Sequence, residues 1–121
     1  MSKRTGPTNI VLRKTADKLL RAYRQSGSKL WRDVAEHLLK PTRKRVVVNL
    51  SKINRYAEDG EIVVVPGKVL GSGALKKKVT VAAFSFSEKA IEKIKNSGSS
   101  AVTIDGLLDK GVSPSKVRII V

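Results

Sequence analysis

Cysteine is absent from this sequence, which removes disulfides, zinc ribbons, thiolate clusters and cysteine nucleophiles from consideration. Histidine occurs once, as His37, so a transition-metal site lacks ligands. Aromatic residues are scarce: Tyr23, Trp31, Tyr56, Phe84 and Phe86. Recognition of single-stranded nucleic acid by rows of stacking rings is therefore a weak expectation. No apolar run exceeds four residues, as in Ile62 to Val65 and Val81 to Phe84, against the ~18 of a membrane span. The basic start Met1-Ser2-Lys3-Arg4-Thr5-Gly6-Pro7 has no apolar stretch behind it, which argues against a secretory signal. Acidic residues are the last scarcity. Ten Asp and Glu face 25 Lys and Arg, leaving a net charge of +15. Self-repulsion of that size works against a compact state, so a polyanionic partner is the natural expectation.

The 121 residues suit a single domain spanning 1–121. A chain of this size buries roughly two thirds of its unfolded surface. The 40% apolar content is enough to build a core. The charge is uneven. Residues 1–60 hold 15 Lys and Arg against 5 Asp and Glu, and residues 61–121 hold 10 against 5. Eight of the nine Arg lie in the first half. Arg presents a planar fork to phosphate and stacks on bases, whereas Lys is a point charge. Residues 1–60 are thus read as a basic, helical, RNA-contacting half, and 61–121 as a compact α/β half.

A short basic arm ends at Pro7. A helix is predicted from about Thr8 to Ser26, with Leu12, Thr15, Ala16, Leu19 and Tyr23 as its apolar stripe. Lys14, Lys18 and Arg21 share another side. Ser28 caps a second helix that Pro41 ends, with Leu30, Trp31, Val34, Ala35 and Leu38 inward. Val46 to Val48 reads as a short buried strand. Asn49 then caps a brief helix, Leu50 to Tyr56, carrying Lys52 and Arg55. Ile62 to Val65 is a buried strand closed by Pro66-Gly67. A glycine loop runs from Pro66 to Lys78, followed by a strand from Val79 to Phe84. Ser87 caps a helix to about Asn96, with Ala90, Ile91 and Ile94 inward. Ala101 to Ile104 is a strand, Asp105 to Lys110 a helical turn, and Val117 to Val121 a final strand. Short strands mixed with short helices make the class α/β.

The strongest chemical feature is Arg43-Lys44-Arg45, consecutive cations able to follow a phosphate chain. Gly67, Gly71 and Gly73 do not form a mononucleotide loop. Gly73 is followed by Ala74-Leu75 rather than Lys-Ser/Thr, and Lys76 stands where a dinucleotide fingerprint needs a third Gly. The loop suits either tight turns or close approach to a large polyanion, with Lys76, Lys77 and Lys78 supplying charge at its end. Asp33 and His37 stand four apart, but no nucleophile elbow or oxyanion site accompanies them. Glu58, Asp59 and Glu61 form a solvated turn. Phe84 and Phe86 are expected to share one strand face in the core. Lys89 and Lys93 repel at i,i+4.

Three blocks carry a family likeness. Arg43-Lys44-Arg45-Val46-Val47-Val48-Asn49-Leu50-Ser51-Lys52-Ile53 resembles the basic segment of the archaeal and eukaryotic large-subunit ribosomal proteins called eighteen-e. Val65-Pro66-Gly67-Lys68-Val69-Leu70-Gly71-Ser72-Gly73-Ala74-Leu75-Lys76-Lys77-Lys78-Val79-Thr80-Val81 is similar to the core shared with bacterial large-subunit protein fifteen. Ala83 to Ile94 continues the match. The resemblance implies an N-terminal helical basic region followed by an irregular ββα-type layered core. It also implies a non-enzymatic structural constituent of the large ribosomal subunit, in the cytoplasm and in the short archaeal form. Large-subunit ribosomal RNA and neighbouring large-subunit proteins are the implied partners. No cofactor, metal, membrane or small-molecule substrate is expected. The resemblance points to Arg43, Lys44, Arg45, Lys52, Lys68, Lys76, Lys77 and Lys78 for RNA contact. Charge adds Lys3 and Arg4 on the arm, Arg13, Lys14, Lys18 and Arg21 on the first helix, and Arg55. The alternative is a free-standing RNA-binding or RNA-chaperone protein outside the ribosome.

Overall fold

A computed structural model describes residues 7–40 and 46–121. The first helix, α1 (Pro7–Ser26), is followed after Gly27-Ser28 by α2 (Lys29–Leu38). Ser28 caps α2 by accepting a hydrogen bond from the Leu30 amide. The rest alternates: β1 (Val46–Asn49), α3 (Leu50–Tyr56), β2 (Ile62–Leu70), β3 (Thr80–Phe86), α4 (Glu88–Asn96), β4 (Ser100–Thr103), α5 (Ile104–Asp109) and β5 (Val117–Ile119). A 3₁₀ turn, Pro114–Lys116, leads into β5.

All five strands run parallel in one sheet, ordered β1-β2-β3-β4, with β5 also paired to β2. Helices cover both faces. Leu12, Ala16, Leu19, Trp31, Val34, Leu38, Ile104 and Leu107 pack with Val64 and Ala82 on one side. Leu50, Ile53, Ala90 and Ile94 pack with Val63, Val65, Val81 and Ala83 on the other. Burial on both faces is why β2 begins as an uninterrupted apolar run instead of an alternating one.

The strand that begins at Ile62 does not close at Pro66-Gly67. It continues to Leu70 by changing partners. Residues 62–64 pair with β5 on one edge, and from Gly67 onward that edge is taken by β1. On the other edge the register against β3 shifts between Val65 and Lys68. Pro66 sits in that irregularity, where its missing N–H breaks no ladder. Gly67 is required by contact: a Cβ there would lie 2.0 Å from the Val46 carbonyl oxygen. The glycines of the following loop likewise approach the protein's own chain. A Cβ on Gly71 would meet Lys89 and Ala90 at 2.8–2.9 Å. At Gly73, with φ +89°, a Cβ would meet Ser51 at 2.5 Å. These glycines pack the fold, so close approach to a polyanion is not what they are for.

The loop does the work of a crossover helix. Residues 71–79 carry the chain back across the sheet from β2 to β3, and Leu75 and Val79 are buried beneath it. Other expectations shift in register. Val47 is not buried but 58% exposed, because only alternate residues of β1 meet the core. Asn49 occupies the cap position of α3 without a cap hydrogen bond, and its Oδ1 accepts from the Ser72 amide instead. Ile91 lies on the flank of α4, whose inner face is Ala90 and Ile94. Phe84 packs against the α1–α2 side and Phe86 against the α3–α4 side, so the pair does not share a face.

Gly67→Ala is expected to lower unfolding stability by about 2–4 kcal/mol, because backbone and not a flexible side chain stands in the way. Gly60→Ala, at φ +86° with open space around it, should cost only about 1 kcal/mol. Urea titration of the two variants checks the contrast.

Candidate nucleic-acid interface

On α1 the buried positions 12, 15, 16 and 19 fix which way the cations turn. Arg13, Lys14 and Arg21 are exposed on the outer side. Lys18 lies at the margin, with its ammonium paired to Asp109 of α5. Sequence spacing groups Lys18 with Lys14 and Arg21; the structure gives it a second task, tying α1 to α5. Lys68 is exposed on β2. Its neighbour Val69 points into the α3–α4 core, so Lys68 points to the opposite face, in register with Val47 and Ser85.

The other side of the sheet carries a second group. Leu50 and Ile53 anchor α3, leaving Lys52, Arg55 and Tyr56 exposed. Lys52 donates to the main-chain oxygen of Val121, and the Arg55 guanidinium sits 6.0 Å from the Tyr56 ring centroid. Beside α3 runs the lysine loop. Lys76 and Lys78 are exposed, while Lys77 is half-buried and donates to the Ala57 carbonyl. Lys3, Arg4, Arg43, Lys44 and Arg45 lie outside the described residues.

The loop is held along its length. Ser51 N donates to Ser72 O at 3.1 Å, and Lys76 N to Asn54 Oδ1 at 2.9 Å. Lys78 N donates to Asp59 Oδ1 at 2.8 Å, and Gly60 N to Lys78 O at 2.8 Å. The residue that sequence reasoning misses is Lys93. It is not merely a cation repelling Lys89: its ammonium donates to both Gly71 O and Gly73 O at 2.8 Å. Two carbonyls pointing one way at a tight glycine turn form a cation seat, and no local sequence pattern announces it. The lysines at 76–78 are thereby presented from a fixed backbone, which lowers the ordering cost of binding.

The acidic turn is not simply solvated. Glu61 forms a forked pair with Arg118 of β5, with Nε to Oε1 at 2.9 Å and Nη2 to Oε2 at 3.1 Å. It also accepts from the Glu58 amide at 2.8 Å. The Arg118 hydrogen bond, aided by that amide, holds the Glu61 carboxyl below the usual carboxylate range. His37 is half-buried, with Nδ1 3.2 Å from Lys40 Nζ. Among the described residues no group of three His, Asp or Glu could hold a metal, and no helix is long and apolar enough to cross a membrane.

Residues 28–102 match the family model that groups ribosomal proteins 50S-L15 and 50S-L18e with their 60S counterpart. Three archaeal proteins, each named large ribosomal subunit protein eL18, are similar over nearly the whole chain. That of Pyrobaculum aerophilum is 47% identical over 117 residues, 97% of this chain and 96% of its own. That of Methanococcus maripaludis is 45% identical, over 97% of this chain and 98% of its own. That of Archaeoglobus fulgidus is 44% identical, over 98% and 99%.

Lys93→Met should leave the fold intact but free the loop, costing about 1–2 kcal/mol. Hydrogen exchange at the amides of residues 72–78 should quicken selectively, and uniform quickening across the sheet would refute this role. For Glu61 the folded carboxyl titrates below the unfolded one, so its stabilisation is present above the ordinary carboxylate range and is lost as pH falls through the depressed value. The Tm difference between the native chain and Glu61→Gln should therefore be constant near neutrality and shrink under acid.

Proposed function

The chain belongs to the family of ribosomal proteins 50S-L15, 50S-L18e and their 60S counterpart, and on that premise we propose that it clamps two segments of ribosomal RNA, one on each side of its sheet. It is a structural constituent of the large ribosomal subunit of cytoplasmic ribosomes, not an enzyme. Ribosomal RNA and other ribosomal proteins are its partners. The free-standing chaperone reading has no observation in its favour.

One observation carries the clamp: exposed cations occupy opposite faces of one rigid body. Arg13, Lys14, Arg21 and Lys68 lie on the α1–α2 side, and Lys52, Arg55, Lys76 and Lys78 on the α3 side. Two helix layers separated by a sheet put these sets about 20 Å apart. That spacing suits two strands of phosphates held at a fixed separation. The chemistry is neutralisation of crowded phosphates with release of their counterions. The sequence-adjacent cations Lys3, Arg4, Arg43, Lys44 and Arg45 extend the same chemistry, and Lys18 and Lys77 contribute through N–H groups their internal partners leave over. About eight phosphate contacts give a salt slope near −6 on a single-strand estimate.

Replacing Arg13, Lys14 and Arg21 together by Ala should lower the magnitude of that slope by about 2. Footprinting of the RNA in large subunits separates one site from two. The α1 variant should lose one set of protected nucleotides, and Lys52→Ala/Arg55→Ala a different set. Loss of the same nucleotides in both would overturn the clamp.

A further inference from the structure

Of the five aromatic side chains, four have their rings in or against the core. Trp31 is 3% exposed, Tyr23 and Phe84 pack on the α1–α2 side, and Phe86 packs on the α3–α4 side. Tyr56 is the exception. Half of it is open to solvent at the last turn of α3. A ring so placed gains nothing from the core, and the basic surface around it is a poor setting for an isolated apolar group.

The surroundings of Tyr56 are cationic and specific. The Arg55 guanidinium sits 6.0 Å from the ring centroid, within cation–π range. Lys52 is four residues earlier, on the same helix face, and its ammonium is held by the main-chain oxygen of Val121. Val121 itself is 47% exposed and adds apolar area beside them. One aromatic face, a cation already against the ring and a tethered ammonium one turn away match the parts of a nucleotide: a flat base, and a phosphate attached to it.

We propose that Tyr56 is a stacking platform for one unpaired nucleobase of the ribosomal RNA, with Arg55 sandwiching the ring from its other side and Lys52 contacting the adjoining phosphate. The proposal rests on the RNA-clamp reading and deepens it. It assigns the α3 face a base contact, where the α1 face has phosphate contacts alone. A stack reads no hydrogen-bond pattern, so any base that can leave its helix fits. What it recognises is an unstacked residue in a bulge or loop, and so it selects RNA shape.

The test is binding of the full chain to large-subunit ribosomal RNA across a salt series, with three substitutions at one position. Tyr56→Phe keeps the ring and should bind within about twofold of the native chain, because the stacking face is retained. Tyr56→Ala and Tyr56→Leu should each weaken binding by about 5- to 100-fold, the range for loss of one stacked base. Leu retains apolar bulk, so an equal loss in both variants points to the aromatic face. The salt slope should stay unchanged in all three, because no charge is removed, whereas Lys52→Ala should make it shallower. Ultraviolet crosslinking of assembled subunits should join Tyr56 to a single nucleotide. Native-like binding by Tyr56→Ala, a Tyr56→Phe as weak as Ala, or a crosslink from Tyr56 to protein would each overturn the proposal. In those cases salt-dependent binding by the native chain leaves the clamp reading standing, and its absence removes both.

Discussion

The close approach of β1 to the middle of β2 is the constraint on which the rest depends. Val46 pairs with Gly67, and the space between them admits no side chain. From that contact follow the position of α3, which begins where β1 ends, and the anchorage of the glycine–lysine loop, which is bonded to Asn49, Ser51 and Asn54. Pro66 makes the junction possible by placing a residue without an N–H where β2 changes partners. A strand with a Pro-Gly pair in it reads as two pieces along the sequence. In three dimensions it is one strand with three neighbours.

Electrostatics sets the second constraint. With 25 cations against 10 carboxylates, internal pairing cannot discharge this protein. The pairs among the described residues, Lys18–Asp109, Arg32–Glu36 and Arg118–Glu61, are surface contacts that join elements or turns of a helix. They contribute modestly, and screening weakens them. Most of the positive charge stays in water until a polyanion arrives. The core must therefore hold the fold against repulsion by itself. It does so with two apolar layers, one on each side of a sheet whose central strand is buried on both faces. Folded rigidity and unneutralised charge together make a body that RNA can be built around.

Much of this is legible from the chain. The stripes of α1 and α2, the serine caps at Ser28 and Ser87, and the limits of α3 are local matters. Periodicity of 3.6 and a hydroxyl before a helix are sufficient to find them. The parallel pairing is not legible, nor is the run of β2 through Pro66, because both depend on partners far away in sequence. Ile91 and Phe86 lie elsewhere than local pattern places them for the same reason. An apolar residue at the edge of a stripe goes in or out according to what packs there, and at α4 the contact is Gly71 against Lys89 and Ala90.

The sequence by itself determined the sign and density of charge, the absence of catalytic and thiolate chemistry, the helix faces, and which cations were candidates for phosphate. Tertiary structure decided how those candidates divide: which lie on the α1 side of the sheet, which lie beside α3, and which, like Lys18, Lys77 and Lys93, are already engaged with the protein's own oxygens. The physical reason is range. Charge and periodicity are properties of neighbouring residues, whereas the side of a sheet on which a lysine emerges is set by strand order and register, which come from contacts between segments distant along the chain.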